Sequence, residues 1–217
     1  MRPADPLLSR RPHRPPEALT LWEEVRLPMA RVHELCGRAR RTLALWLAGQ
    51  MTGDVFWIAP ERGRAVDMGG ANGLNPDGMV RWVQPGRVVF VSPRNTADLM
   101  WCMEEVLRSG AVPLVVLDLA EPPAMTPVRR LHLAAETGAA VGLCQPLGLL
   151  LTPGSGGAAG IETRWSLDPA HRAGRDLWRL ERLRARMLPP QGWWSDGRGL
   201  RAEGAGQSPA LRDVAQV

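Results

Sequence analysis

Residues 37–42 contain groups that could bind phosphate, although their spacing is shorter than phosphate binding requires. They read GRARRT and join a short apolar run to an amphipathic helical pattern. A functional phosphate-binding loop has the pattern GxxxxGK[ST]. Its backbone N–H groups surround the phosphates, its lysine neutralises their charge and its hydroxyl binds magnesium. Here the second glycine and the lysine are absent, and the planar fork of Arg41 does not replace a compact ammonium group. We therefore expect a degenerate loop at Gly37, Arg41 and Thr42 that holds no nucleotide or other cofactor.

Composition limits the chemistry of this chain further. All 27 basic residues are arginine, so no mechanism that needs a lysine ammonium can operate. The net charge of +5 and the pI near 10.6 permit a nucleic-acid or an acidic protein partner. The three cysteines lie far apart without metal-binding spacing, which predicts free thiols, no metal site and a reducing cytoplasm. No apolar run approaches the ~18 residues of a membrane span, so we expect no membrane partner.

From residue 31 onward, short apolar runs alternate with helical patterns. Helices are predicted over 40–51, 97–108 and 127–137. Strands that alternate with helices are typical of a mostly parallel α/β sheet with helices on both faces. The runs are apolar on both sides, as the strands of a covered parallel sheet must be. The five predicted strands are 32–36, 55–59, 88–91, 114–117 and 140–143.

The two ends of the chain differ from this core in composition. Residues 1–18 are rich in proline and arginine and are predicted to be a disordered basic tail. Residues 19–194 form the predicted α/β core, and the glycine-rich residues 195–217 are predicted to be a second disordered tail. Within the core, residues 146–160 read PLGLLLTPGSGGAAG and are predicted to be a flexible loop that leaves the fifth strand.

Residues 87–119 have the order strand, helix, strand, aspartate, and they resemble the RecA recombinase family. They read RVVFVSPRNTADLMWCMEEVLRSGAVPLVVLDL and include Asp118. The resemblance spans about residues 30–194 and implies a RecA-like fold with a degenerate phosphate loop. With NPDG at 75–78 and TPVRRLHLAAETGAA at 126–140, the chain more specifically resembles the ImuA family, the RecA-like proteins of bacterial mutagenesis cassettes.

The resemblance implies ancestral roles for three polar residues. Asp118 corresponds to the Walker B aspartate beside the metal, and Glu61 to the glutamate that activates water. Gln145 corresponds to the nucleotide-sensing glutamine at the end of the fifth strand. Without an intact phosphate loop, we expect all three to be vestigial. The loop 146–160 matches the DNA-contacting loop of the family. It has no basic residue that could pair with a phosphate and no aromatic residue that could stack on a base, so we expect little DNA contact from it.

Arginines dominate residues 179–190, which read RLERLRARMLPP. Their periodicity fits either a helix or a strand, whereas the resemblance implies a late core strand. There the family has two lysines, spaced two apart, that reach ATP bound to the neighbouring protomer, and Arg184 and Arg186 hold the matching places. Alternation would put Arg182, Arg184 and Arg186 on one face of the strand. We expect this face to bind a partner protein or DNA; the alternative is an exposed basic edge that discourages aggregation.

The ImuA resemblance implies a non-catalytic accessory role in translesion synthesis and mutagenesis induced by DNA damage, within the SOS response. The expected partners are RecA and an ImuB-type polymerase-like protein, with a weak contact to single-stranded DNA also allowed. Two alternatives stay open: a weak or partner-completed ATPase that uses Asp118, Glu61 and Gln145, and a division inhibitor similar to SulA. The short loop and the absence of lysine disfavour the ATPase.

Overall fold

The computed structural model describes residues 17–60 and 74–202 of the chain. Within these residues, the helices are α1 (Arg40–Gly49), α2 (Pro76–Met79), α3 (Thr96–Ser109) and α4 (Met125–Val141). The strands are β1 (Ala18–Leu21), β2 (Val25–Pro28), β3 (Val32–Cys36), β4 (Val55–Ile58), β5 (Val88–Val91), β6 (Leu114–Asp118), β7 (Leu147–Leu151), β8 (Thr163–Pro169), β9 (Trp178–Ala185), β10 (Gln191–Ser195) and β11 (Leu200–Ala202).

A sheet of nine strands, in the order β11-β10-β9-β8-β3-β7-β6-β4-β5, forms the centre of this structure. Six of these strands, β8, β3, β7, β6, β4 and β5, run parallel to one another. Strands β9, β10 and β11 extend the sheet in antiparallel pairs. The first two strands form a separate antiparallel hairpin. The mostly parallel α/β sheet that the sequence predicts is confirmed.

Both faces of the parallel strands are covered, which is why β3, β6 and β7 are buried along their whole length. Helix α1 and the β1–β2 hairpin pack on one face, and α3 and α4 pack on the other. In β7, Leu149 and Leu151 enter the core beneath α1, while Leu150 enters the core beneath α3 and α4. Because successive side chains of a strand point to opposite faces, a strand between two helical layers buries all of its side chains, which in β3 include the polar His33 and Glu34.

Trp46 of α1 joins several distant segments in the core beneath that helix. Its ring centroid lies 4.9 Å from Trp22 in the β1–β2 turn, 5.6 Å from Trp82 and 5.2 Å from Trp178 of β9. Edge-on and tilted ring pairs of this kind add to the free energy gained by burial alone. The position of α1, and therefore of the turn that precedes it, is fixed against both the hairpin and the antiparallel part of the sheet.

The prediction of a strand at 140–143 is wrong, and the fifth core strand is β7 instead. Helix α4 continues past Gly138 to Val141, because this glycine is a packing residue and does not end the helix. A Cβ atom at Gly138 would lie 2.0 Å from the carbonyl oxygen of Leu107 in α3. The two helices approach so closely here that only glycine fits. The segment 146–160, predicted to be a loop, therefore begins with a buried strand.

The sheet also extends past Ser195, where the sequence predicted a disordered tail. Strand β11 pairs with β10, so that Trp193 lies opposite Ala202. The turn between them is specified locally, because Gly197 has a φ of +83° and its N–H donates to the hydroxyl of Ser195 (3.0 Å). That hydroxyl in turn donates to the carbonyl oxygen of Gly199 (2.8 Å). Residues 1–16 and 203–217 lie outside the described residues, and the tail predictions for them stay predictions.

Candidate functional site at the carboxyl edge of the sheet

A tight turn connects β3 to α1 at the carboxyl edge of the parallel strands. Gly37 adopts a φ of +83°, and a Cβ atom there would lie 2.5 Å from the carbonyl oxygen of Leu167. Glycine is therefore required both by the backbone conformation and by the close approach of β8. Helix α1 begins at Arg40, and Thr42 lies in its first turn. Only residues 37–39 therefore lie between the end of β3 and the start of α1.

The backbone N–H groups of this turn already donate to acceptors within the chain. The N–H of Gly37 donates to the carbonyl oxygen of Gly154 (2.8 Å), and that of Ala39 donates to Leu167 (2.8 Å). Between them, the N–H of Arg38 donates to the carboxylate of Asp168 (2.9 Å). In a phosphate-binding loop, successive N–H groups of this kind point at the anion. Here the three donors are satisfied without one.

Asp168 takes the place that an anion would occupy at this turn. Its carboxylate accepts from the backbone of Arg38 and from the hydroxyl of Ser166 (3.1 Å). The turn opens on a cleft of about 320 Å³, which is lined by arginine and also by the carboxylates of Asp168 and Glu181. The lining contains two arginines and two carboxylates, so it has no net positive charge to attract a triphosphate. Nothing in the sequence around Asp168 indicates this role, because the residue has the pattern of an ordinary strand residue.

Asp118, at the end of β6, forms an ion pair with the start of α1. Its Oδ2 atom accepts from Nε of Arg41 at 2.5 Å, and its Oδ1 atom lies 3.7 Å from Nη2 of Arg40. The Asp118 side chain is only 1% exposed, whereas that of Arg41 is 27% exposed. The carboxylate that the resemblance places beside a metal is thus neutralised by arginines from the degenerate loop. No cluster of acidic, histidine or cysteine side chains that could hold a metal ion occurs in residues 17–60 and 74–202.

Gln145 does not lie where the resemblance implied. It precedes β7, at the amino edge of the sheet, and its Nε2 atom donates to the carboxylate of Glu17 (3.0 Å). The residue that follows the fifth strand is Thr152, which is fully buried. The error follows from the misplaced fifth strand, because the strand was predicted before Gln145 instead of after it. Glu61 lies outside the described residues, so its expected role stays a prediction.

The glycine-rich segment after β7 is held in place by Glu34 of β3. Its Oε1 atom accepts from the hydroxyl of Thr152 (2.6 Å) and from the backbone N–H groups of Gly157 (2.8 Å) and Ala158 (3.0 Å). Its Oε2 atom pairs with Arg164 of β8. A carboxylate that is fully buried must be compensated in this way. Residues 152–160 form the predicted loop, and these hydrogen bonds anchor it to β3 at three of its residues. Its flexibility stays a prediction.

The three arginines of the predicted binding face do not share one face. Trp165 of β8 lies opposite Arg182 of β9, but Arg164 lies opposite Arg184, so Leu183 is an extra residue in β9. Adjacent residues of β8 point to opposite sides of the sheet. The β-bulge therefore separates Arg182 from Arg184, although simple alternation would place them together. Arg186 follows the end of the strand.

Arg182 is a buried structural residue and is not available to a partner, contrary to the expectation. It is 5% exposed, and its guanidinium carbon lies 5.7 Å from the ring centroid of Trp165 and 5.2 Å from that of Trp193. Its Nε and Nη2 atoms donate to the carbonyl oxygen of Pro189 and to Oε1 of Gln191, both at 3.1 Å. Cation–π contacts and two hydrogen bonds compensate the buried charge.

The cysteine nearest to the turn provides no nucleophile. Cys36 is buried at the end of β3, and burial raises the pKa of its thiol to about 11. The thiol therefore stays protonated at neutral pH, and it is the thiolate that reacts. Cys36, Cys102 and Cys144 are all free, as the sequence predicts.

The geometry can be compared with that of known proteins. No protein-family model and no curated protein matches the chain. Among solved structures, the crystal structure of the RadB recombinase matches with a TM-score of 0.54, over 81% of this chain and 92% of that chain. The fold is RecA-like. At 12% identity the likeness shows the fold alone, and it transfers no residue role to this chain.

The RecA-like fold explains why the candidate site lies where it does. In open α/β sheets, ligands bind in the crevice outside the carboxyl ends of the parallel strands. The Gly37 turn, Asp118 and Thr152 all lie at that edge. In this chain, each of them is occupied by a contact to another part of the chain.

None of the helices that the structure describes is long and apolar enough to cross a membrane.

Proposed function

We propose that this chain is a non-catalytic RecA-like protein that assists translesion synthesis after DNA damage by binding other proteins. The observation that supports the loss of catalysis most directly is the ion pair between Arg41 and the buried Asp118. In a phosphate-loop enzyme this carboxylate would face magnesium, but here a guanidinium fills the position opposite it. A bound Mg²⁺ ion would have to displace Arg41 and leave its charge beside a second cation.

The hydrogen bonds of the loop support the same proposal independently. The N–H groups of Gly37, Arg38 and Ala39 donate within the chain, and the carboxylate of Asp168 accepts one of them. Nucleotide binding would require breaking these bonds and burying a polyphosphate against Asp168. Each broken bond leaves an unsatisfied group, at a cost of roughly 1–3 kcal/mol. The weak or partner-completed ATPase is therefore the less favoured alternative.

Isothermal titration of the purified chain with ATP and magnesium tests this part of the proposal. We expect no binding at physiological nucleotide concentrations. Arg41→Met removes the guanidinium that faces Asp118, and Asp118→Ala removes the carboxylate. Micromolar binding by the parent chain that Asp118→Ala abolishes would establish the ATPase alternative and end this proposal.

The accessory role itself rests on the resemblance to the ImuA family, with RecA and an ImuB-type protein as the proposed partners. Deleting the gene should lower the frequency of mutations after ultraviolet exposure while homologous recombination continues. The comparison is between the deletion strain, the parent and a strain complemented with the intact gene. Equal mutation frequencies, together with filamentous cells upon overexpression, would instead favour the division inhibitor similar to SulA.

A capture experiment with purified proteins tests the proposed binding directly, without the deletion strain. We expect the chain to be captured by RecA or by the ImuB-type protein of the same host, with or without ATP. Independence from ATP is the specific expectation here, because the proposed mechanism has no nucleotide state. Capture that requires ATP bound to this chain would contradict it.

A further inference from the structure

The hairpin between β9 and β10 ends in an exposed apolar tip with arginines beside it. Met187 is 87% exposed and Leu188 is 52% exposed, and Pro189 and Pro190 follow them. Exposed apolar side chains that are contiguous form a patch, and such patches mark interaction sites more than isolated exposed apolar residues do. The adjacent Arg184 and Arg186 are also exposed. This tip, residues 184–190, is part of neither the degenerate loop nor the glycine-rich segment.

The two arginines have no hydrogen bond or ion pair within the described part of the chain, whereas Arg182 donates to Pro189 in the turn and to Gln191 at the start of β10. Residues 182–195 contain three arginines and no carboxylate. The residue opposite Arg184 in β8 is another arginine, Arg164. Glu181, which precedes this window, pairs with Arg179, and Glu162, just before the residue opposite Ala185, lies 4.0 Å from Arg31. The tip therefore carries two uncompensated positive charges, which fit an anionic ligand.

The tip is held from below by the buried arginine. Arg182 donates to the carbonyl oxygen of Pro189 and to the side chain of Gln191, so it bonds to the chain on the far side of the turn. Its guanidinium lies over the rings of Trp165 and Trp193, both of which are fully buried. Met187 and Leu188 thus project from an anchored base, and ordering them on binding costs less entropy than ordering a free loop.

We propose that this hairpin tip binds duplex DNA, with Arg184 and Arg186 on phosphates and Met187 and Leu188 wedged at a base step in the minor groove. Proteins that bend DNA use this combination of arginine with Met, Leu or Pro wedges. The minor groove is about 6 Å wide, which suits a narrow projecting turn. The proposal does not depend on the loss of ATPase chemistry.

Binding to a short fluorescent duplex rich in A·T steps, measured by anisotropy over a range of salt concentrations, tests the phosphate contacts. The double variant Arg184→Ala/Arg186→Ala should reduce the slope of log affinity against log salt by about two. Affinity should fall by roughly 60-fold at about 0.1 M salt, because each phosphate contact contributes a slope of about 0.9. The matched control is Arg26→Ala/Arg129→Ala, which removes two exposed arginines from β2 and α4.

A duplex with 2-aminopurine at its centre tests the wedge. Its fluorescence should rise when the parent chain binds, because the base unstacks, and Met187→Ser/Leu188→Ser should abolish the rise while leaving the salt slope unchanged. Melting curves should match the parent, since these side chains are exposed. An equal loss of affinity in the control variant would reduce the effect to net charge and overturn the proposal. Unchanged DNA binding by both tip variants, or a loss only of binding to anionic vesicles or an acidic protein, would overturn it as well.

Discussion

Removing the guanidinium of Arg41 should destabilise the fold, because the buried carboxylate of Asp118 then loses its closest positive charge. Asp118 is 1% exposed, and its closest cation is Nε of Arg41 at 2.5 Å. Breaking a buried pair by removing one partner costs about 3–5 kcal/mol. Two features lower this value for Arg41→Met: the Arg41 side chain is 27% exposed, and Arg40 remains 3.7 Å away. We expect a loss of about 2–3 kcal/mol, which would lower the melting temperature by about 5–10 °C for a chain of this size.

The opposite change, Asp118→Asn, should cost less, because Arg41 can turn its charge towards solvent. We expect about 1–2 kcal/mol for it, and the double variant should lose about 1–2 kcal/mol less than the sum of the two single losses. Urea denaturation followed by tryptophan fluorescence gives all the values needed for this cycle. Arg38→Met is the matched control from the same turn, since the Arg38 side chain is exposed, and its effect should stay within about 0.5 kcal/mol.

Additive losses for Arg41 and Asp118, within about 0.5 kcal/mol, would refute the reasoning. They would mean that the two side chains are not coupled in solution, and Asp118 would then be free to serve a cation. The same result would remove the main physical argument against nucleotide binding, whatever the titration with ATP shows.

Three further results are expected. Burial lowers the pKa of His33 from 6.5 to about 3, so its folded form stays neutral, and stability present above pH 6.5 should fall by about 1.4 kcal/mol per pH unit below it. Between pH 6.5 and about 5, the unfolding free energy of His33→Gln should depend less on pH than that of the parent chain. Part of the dependence should remain, because burial also lowers the pKa of His132. An unchanged dependence on pH would contradict the assignment to His33. Gly138→Ala should cost about 3 kcal/mol or more, since α3 and α4 must move apart, whereas Gly86→Ala, with open space around it, should change the melting curve little. Glu34→Ala should speed hydrogen exchange at the amides of residues 157 and 158 far more than elsewhere, and uniform acceleration would mean that the whole fold had loosened instead.

The elements of the parallel sheet could be predicted from the sequence because they depend on local patterns. The runs that became β4, β5 and β6 are apolar on both sides, β3 is apolar except at His33 and Glu34, and the segments between several of them have helical periodicity. The fifth strand was misplaced for an equally local reason. Gly138 looked like the end of a helix, but its missing side chain serves the contact with α3, and no pattern within α4 reveals that contact.

The occupancy of the candidate site was decided by the tertiary structure. The sequence shows that the phosphate loop is short and that the chain has no lysine, so it predicts a degenerate site. It does not show what fills that site. Asp168 reaches the backbone of Arg38 across 130 positions of the chain, and Arg41 reaches Asp118 across 77. Such contacts depend on which strands are neighbours in the sheet, and strand order is not encoded in the periodicity of any one strand.

The arginines in and just after β9 show most clearly what the sequence determines and what only the tertiary structure decides. Composition alone established that basic residues cluster there, and the resemblance favoured a strand over a helix. Alternation then predicted one common face for Arg182, Arg184 and Arg186, but the bulge at Leu183 breaks that alternation. A bulge arises from how β9 pairs with β8, so only the paired strands could show that Arg182 is buried under tryptophans while the other two stay exposed.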